Sequence, residues 1–277
     1  MAESKQYYYD DINNAPLTVM HTVTKGYAPL VRHLHSQYEF MHVRSGTVTV
    51  ESNADTITID GPCFIVHRPF ALHRASVEKG VHYERFVINC TPELLDKIIP
   101  LVPNFSVIDS HSLTVIKISK AMDMLLVEHL TKIQSCMTSD NLSLARVYLA
   151  LLLITLTEYT ESDNLLPTKS EGYIGKVVHY IGQNYAENIT IDQLADMFYV
   201  SRSKLIADFK KYIRVSIKQY TMLMRVYNAQ RFLQSGKSIS ETAYLCGFYD
   251  ESHFVGTFHS LTGMTPKNFL KSVKEQS

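Results

Sequence analysis

The chain has 277 residues with 27 Lys and Arg against 27 Asp and Glu, so its formal charge at pH 7 is zero and composition alone assigns neither a nucleic acid nor a membrane as partner. With 45% hydrophobic residues there is ample material for one large packed domain or two ordinary ones, and disorder is not the expectation. The longest nearly unbroken apolar run, Val147–Thr157, is well short of the ~20 residues a membrane span needs and is predicted to be a buried helix.

The polar, acidic start through Asp11 does not read as a secretory signal. Cys63, Cys90, Cys136 and Cys246 stand far apart without a CxxC pair, so neither a zinc site nor a disulfide framework is indicated, and a reducing cytoplasm is the expected compartment. The neutral total hides a division: the charge through Thr168 is −5 and that from Lys169 onward is +5.

From Leu17 to Asn89 short alternating runs (Thr47–Glu51, Thr56–Asp60, Tyr83–Asn89) are separated by turns at Ser45-Gly46, Asn53 to Asp55 and Gly61-Pro62, which predicts an antiparallel sandwich or small barrel. From Ser112 the period changes. Leu113, Ile116, Met122, Leu125, Leu126 and Leu130 mark one helix face and Leu142–Glu161 a second helix, a pair expected over 112–162 that either covers an open face of the β region or forms a subunit interface.

The stretch 163–170 is the linker candidate between a first domain, 1–162, and a second, 171–277. Beyond it the chain is predicted to be helical. Gly172–Asn184 forms one helix, and Thr190 with Gln193 makes a capping box for the next, which ends near Phe198. Ser201 then caps a further helix after a three-residue turn. Ala195 is small where the two helices cross and Leu194, Val200, Leu205 and Phe209 fill the space between them, the spacing of a helix-turn-helix over about 190–212.

A related pattern recurs over about 238–260, with Ala243, Gly247, Phe254 and Phe258 in corresponding places. The long helix between the units, Ser216–Gln234, would span roughly 28 Å, comparable to the ~34 Å between successive major grooves on one face of DNA. From Arg202 to Lys237 there are nine basic residues and one acid, Asp208, a stripe of +8. Its coincidence with a recognition helix favours phosphate contact.

Arg225-Val-Tyr-Asn-Ala-Gln-Arg-Phe-Leu233, Ser238-Ile239, Ala243, Gly247-Phe248, Asp250, Ser252-His-Phe254, Phe258, Gly263 and Thr265-Pro266 before Phe269 resemble the signature of AraC-type transcriptional regulators. The resemblance implies an all-α module whose two helix-turn-helix units face one side of double-stranded DNA. It turns toward the DNA Ser201, Arg202, Ser203, Lys204, Ile206, Ala207, Lys210 and Lys211 of the first unit, Arg225 of the connector, and Glu251, Ser252, His253, Gly256 and His259 of the second. Members commonly carry basic residues where this chain has Ala207, Gly256 and His259, and a glycine where it has Arg214. The first unit is therefore expected to carry more affinity, with Arg202 and Lys204 mattering more than His253 and His259.

Gly26, His33, His35, Glu39 and Gly46, followed by Pro69 and His73, resemble the two cupin motifs. The resemblance implies a jelly-roll-like barrel with an internal pocket, so the fold class expected is α+β: a cupin-like barrel with a helical pair, then the helical module. The pocket candidates are His33, His35, Tyr38, Glu39, Arg44 and His73, which suit a polyhydroxylated effector such as a sugar. His33, His35, Glu39 and His73 also make a donor set for a divalent transition metal. Pocket hydrogen bonding is the favoured reading, and no cofactor is expected. His42, His67 and His82 have no matching partners and read as ordinary surface or core residues.

The layout implies a non-enzymatic, effector-controlled regulator, more often an activator, acting as a homodimer and touching RNA polymerase. The alternative is a metal-dependent cupin enzyme, an isomerase or dioxygenase, with the helical region as an accessory.

Overall fold

The computed structural model describes residues 15–27, 32–52, 55–109, 111–161, 163–166, 168 and 172–276. Two compact units are present, one holding Ser36–Ser170 and the other Glu171–Ser277.

The first unit is built on seven antiparallel strands: β1 (Leu17–Tyr27), β2 (Tyr38–Ser45), β3 (Thr47–Ser52), β4 (Asp55–Asp60), β5 (Cys63–His67), β6 (His73–Cys90) and β7 (Leu113–Lys117). They pair in the order β4-β3-β6-β2-β5-β7, with β1 also on β6. The long β6 makes this arrangement work. Its first part pairs with β3, and its second part is held between β1 and β2. The jelly-roll expectation is refined accordingly: among the described residues no pairing joins β4 to β7, so the sheet curls without closing its hydrogen-bond ring.

Alternation on the strands sends side chains into two cores. Met41, Val43, Val48, Val50, Ile65, Val87 and Val115 fill the inside of the curl. Phe40, Phe64, Val66, Phe86 and Ile88 point the other way, onto helices α2 (Lys120–Thr138) and α3 (Leu142–Tyr159), which add Leu126, Leu130, Ile133, Leu149, Leu152 and Leu156. A short helix, α1 (Pro92–Leu95), follows β6 and buries Leu94 and Leu95 in the same core. By length and composition α3 is long and apolar enough to cross a membrane. Here Leu149, Leu152, Leu153 and Leu156 serve as core, while Leu144, Val147 and Leu151 are exposed.

The helical pair starts later than the sequence suggests. Leu113–Lys117 is not helix but a strand, paired with β5 along its whole length. Its β-branched Thr-Val-Ile centre suits a buried pleat, and the helix begins only where Ser119 accepts a hydrogen bond from the Met122 amide. The expected linker is also partly bound: the Lys117 amide donates to Asn164 O and the Leu166 amide to Val115 O. All four cysteines are free and buried. Burial pushes the Cys63, Cys90 and Cys246 thiols up to about 12, which leaves them protonated and unreactive at neutral pH.

A polar tie joins the β wall to α2. His42 is fully buried, and its Nε2 lies 2.8 Å from Asp123 Oδ1. Arg44 donates to both oxygens of Asp123 and, from Nη1, to Glu84 at 2.7 Å. His42 is thus no ordinary core residue. The hydrogen bonds from His42 and then Arg44 hold the Asp123 carboxyl down to about 2.

The second unit is all helix: α4 (Tyr173–Asn184), α5 (Ile191–Met197), α6 (Arg202–Ile213), α7 (Ile217–Gln234), α8 (Ile239–Leu245), α9 (Glu251–Thr262) and α10 (Pro266–Gln276). Thr190 and Gln193 form the expected capping box, and Ser216 with Gln219 forms another at the start of α7. The last helix, α10, carries no mark in the sequence reading beyond Thr265-Pro266.

Arg225 departs from expectation. Its guanidinium turns inward and donates to three backbone carbonyls: Tyr185 O at 2.8 Å, Glu187 O at 2.9 Å and Gly247 O at 2.5 Å. The first two belong to the segment leading into α5 and the third to the turn before α9. Gly247 has φ +77°, and a Cβ there would lie 2.0 Å from Ala186 O, so that turn seats directly on the same segment.

Two tests follow from these ties. The Asp123 contribution should be complete above the ordinary carboxylate range near pH 4 and disappear as pH falls toward about 2. Asp123→Asn should therefore lower thermal stability at pH 7 and flatten the acid limb of the stability curve; an unchanged acid limb contradicts the tie. Arg225→Ala should cost about 3 kcal/mol by stranding three carbonyls, and should leave the salt dependence of DNA binding at its wild-type slope, whereas a phosphate contact would lower it.

Candidate functional site: a DNA-reading surface and an enclosed polar cluster

The two helix pairs α5–α6 and α8–α9 are built alike. Ala195 and Ala243 are buried at the crossings, with Leu205 and Phe209 in the first pair and Phe254 and Phe258 in the second fully buried behind them. Each second helix is capped: Ser201 Oγ accepts from the Lys204 amide at 3.3 Å and Asp250 Oδ1 from the His253 amide at 2.7 Å. The caps fix where each helix begins. They thereby fix which residues of its first turns point away from the core.

On α6, Arg202, Ser203, Lys204, Ile206, Ala207, Lys210 and Lys211 are all exposed, as is the cap Ser201. Ser203, Ile206, Ala207, Lys210, Lys211 and Arg214 line one open groove along the helix. Arg202 is held by Asp192 at 2.5 Å, and Lys204 by Asp208 at 2.8 Å. Hydrogen bonds from Lys204 and from the Tyr173 hydroxyl keep the Asp208 carboxyl below its ordinary range.

On α9, Glu251, Ser252, His253, Gly256 and His259 are exposed. His253 and Gly256 face a groove shared with Ser216, Lys218, Gln219 and Met222 of α7. A Cβ at Gly256 would meet nothing within 4 Å. The candidate reading residues of both units are therefore presented as the caps dictate, with Arg225 the exception already described.

The six expected pocket residues separate into two groups. His33, His35, Glu39 and His73 each bring a donor atom within 4.8 Å of all the others. His73 Nδ1 lies 2.8 Å from Ala71 O, and because a carbonyl only accepts, Nδ1 carries a proton and donates there, which leaves Nε2 toward Glu39. That Nε2 is 3.7 Å from Glu39 Oε1. Three imidazoles and one carboxylate are a donor set of the kind that holds divalent transition metals, so the residues present fit such an ion.

Tyr38 and Arg44 are not in this cluster. They lie on the opposite face of β2 from Glu39, because successive side chains on a strand alternate. Tyr38 packs on Phe40 and Phe105 with its hydroxyl 3.5 Å from Asp109 Oδ2, and burial pushes its phenol up to about 12. Arg44 is engaged with Asp123 and Glu84.

Other residues take their place. His67 stacks on His73, with ring centroids 3.9 Å apart and planes 14° from parallel, and is Glu39's register partner across β2 and β5. Asn89 is the partner of Glu39 on β6, and Ser52 that of His73 on β3. Asn89 Oδ1 and Ser52 Oγ, both buried, have no hydrogen-bond partner among the described residues. Arg85, four residues before Asn89 on the same face, is 7% exposed with its guanidinium 5.6 Å from the Tyr83 ring centre. Alternation in Tyr83-Glu-Arg-Phe-Val-Ile-Asn89 puts Arg85 and Asn89 on one face, but only strand register places that face beside Glu39. His82, by contrast, is exposed and pairs with Ser45 Oγ at 3.0 Å.

Comparison with known proteins agrees with this two-part layout. Residues 27–128 match the AraC-like ligand binding domain and residues 194–272 a helix-turn-helix domain. The chain is 32% identical over 127 residues to the HTH-type transcriptional activator RhaR of Escherichia coli (strain K12), covering 45% of each chain. It is 26% identical over 121 residues to the melibiose operon regulatory protein of the same strain, covering 43% of this chain and 40% of that one. The matches thus span less than half the length of these relatives.

The solved structure of wild-type ToxT from Vibrio cholerae strain SCE256, bound to an unsaturated fatty acid, shares the fold, with a TM-score of 0.58 at 13% identity over 93% of this chain and 96% of that one. With a match to an AraC-like ligand binding domain ahead of a match to a helix-turn-helix domain, the chain is similar in layout to the AraC-type transcriptional regulators.

Proposed function

We propose that this chain is a sequence-specific, DNA-binding transcription regulator whose first unit takes a small effector, and that it acts as an activator rather than as an enzyme. The observation that carries the reading is the repeat of a capped, exposed helix on a small-residue crossing, at Ser201 and Ala195 and again at Asp250 and Ala243. The connector α7, with 18 residues, is roughly 27 Å long at ~1.5 Å per residue, close to the ~34 Å repeat of the major groove. Activation and sugar response are supported by the relatives: RhaR is a transcriptional activator and the other is the regulatory protein of a melibiose operon.

The effector site we assign to His33, His35, Glu39 and His73, with His67, Asn89 and Ser52 beside them. Imidazole, amide and hydroxyl groups buried together suit a ligand rich in hydroxyls, which both donates and accepts. Control requires that the effector bind two states of the protein unequally. Exposed Met124, Leu125, Leu144, Val147 and Leu151 on α2 and α3 support a homodimer through that helical pair. RNA polymerase as partner and the cytoplasm as compartment complete the proposal.

The convergence of four donors supports a second reading of the first unit, in which a divalent transition metal binds there and supplies Lewis-acid chemistry, as in a cupin isomerase or dioxygenase. His33, His35, Glu39 and His73 would hold it.

Selection of bound duplexes from a random pool, with and without a panel of sugars that includes melibiose, tests the regulator reading. It should enrich two half-sites about one helical turn apart, with enrichment that changes with one sugar; no enriched sequence under any condition contradicts it. Elemental analysis of protein purified without a histidine tag separates the two readings of the pocket: one metal per chain supports the second, and substoichiometric metal the first.

A further inference from the structure

The basic stripe from Arg202 to Lys237 is not uniformly available to DNA. Arg202, Lys204 and Lys237 are paired with Asp192, Asp208 and Glu241, and Arg225 is held by three carbonyls. Arg231 lies within electrostatic reach of Tyr185. The four that remain, Lys210, Lys211, Arg214 and Lys218, are exposed and make no ion pair among the described residues. They are consecutive. All of them lie at the corner where α6 ends and α7 begins.

Two grooves meet the same corner. Lys210, Lys211 and Arg214 line the groove that also holds Ser203, Ile206 and Ala207, so Arg214 stands at the far end of the reading face of α6. Lys218, in the first turn of α7, lines the other groove together with His253 and Gly256 of α9. The corner therefore touches the reading face of both units. The second unit has little positive charge of its own there, since α9 opens with Asp250 and Glu251.

Arg214 supplies a second, independent observation. Both α6 and α9 end on a residue in the left-handed conformation whose amide bonds back to the helix, Arg214 at φ +69° and Gly263 at φ +77°. Glycine adopts that conformation without penalty and an L side chain does not. The second unit ends in the cheaper residue and the first in a cation, so a side chain is kept at 214 at a cost to the fold. Strain of this kind points to use.

We propose that the α6–α7 corner, Lys210, Lys211, Arg214 and Lys218, is the phosphate anchor of the helix-turn-helix domain, holding the backbone that runs between the two half-sites. It rests on the DNA-binding reading above. In it Arg214 and Lys218 are positioning residues, which set the register of both recognition helices without reading bases.

The test is binding of the full chain to a random-sequence duplex, which reads phosphate contact alone, across a range of salt concentrations. Arg214→Gly and Lys218→Ala should each lower the slope of log affinity against log salt by about 0.9, with Arg214→Lys restoring it. Arg202→Ala should change it less, because Asp192 already neutralises that cation. Arg214→Gly should also leave the melting temperature unchanged or raise it, which separates loss of contact from loss of fold. Wild-type slopes in both Arg214→Gly and Lys218→Ala overturn the anchor, as does a lowered melting temperature with an unchanged slope, the signature of a helix-capping role only. No duplex binding by the wild-type chain would instead overturn the DNA-binding reading itself.

Discussion

Three hydrogen bonds from one guanidinium hold the DNA-binding unit together. Arg225 sits midway along the connector helix and reaches, on one side, the Tyr185 and Glu187 carbonyls ahead of the first helix-turn-helix and, on the other, the Gly247 carbonyl in the turn of the second. Charge-assisted bonds of this kind are individually strong, and removing their donor takes one partner from each of three carbonyls. Gly247, pressed on Ala186, closes the same joint.

The same tie changes how the charge is understood. A stripe of +8 along a sequence says nothing of which cations face water, because a helix distributes successive residues around its axis. Some of the stripe is internal bonding, some is matched by local acids, and what is left is concentrated at one corner. That division could not be read from position alone: Arg225 and Lys218 look alike in the sequence, and only the fold brings three carbonyls to Arg225 while Lys218 stays exposed with no ion pair among the described residues.

Much else was legible because it rests on short-range rules. Thr190 and Ser201 cap helices since their hydroxyls accept from the amide three residues on, and Ala195 and Ala243 are small because two helices cross there; the cap at Asp250 emerges only in the structure. His33, His35, Glu39 and His73 converge as their spacing implied. The failures share a cause. Tyr38 and Glu39 are neighbours on a strand, so both could not enter one cavity, and Arg44 is on the face of Tyr38. Leu113–Lys117 is a five-residue apolar run, too short for periodicity to distinguish strand from helix. His67 and Asn89 were hidden because register between strands, which places them beside Glu39, depends on partners far away in sequence.

On the proposed function, the repeated, capped helix pair tied by Arg225 reads one face of DNA at two adjacent positions. The most direct measurement is a hydroxyl-radical footprint of the full chain on a duplex enriched by selection. Two protected segments on one face, about one helical turn apart, are the result this account predicts; protection confined to a single groove would contradict it.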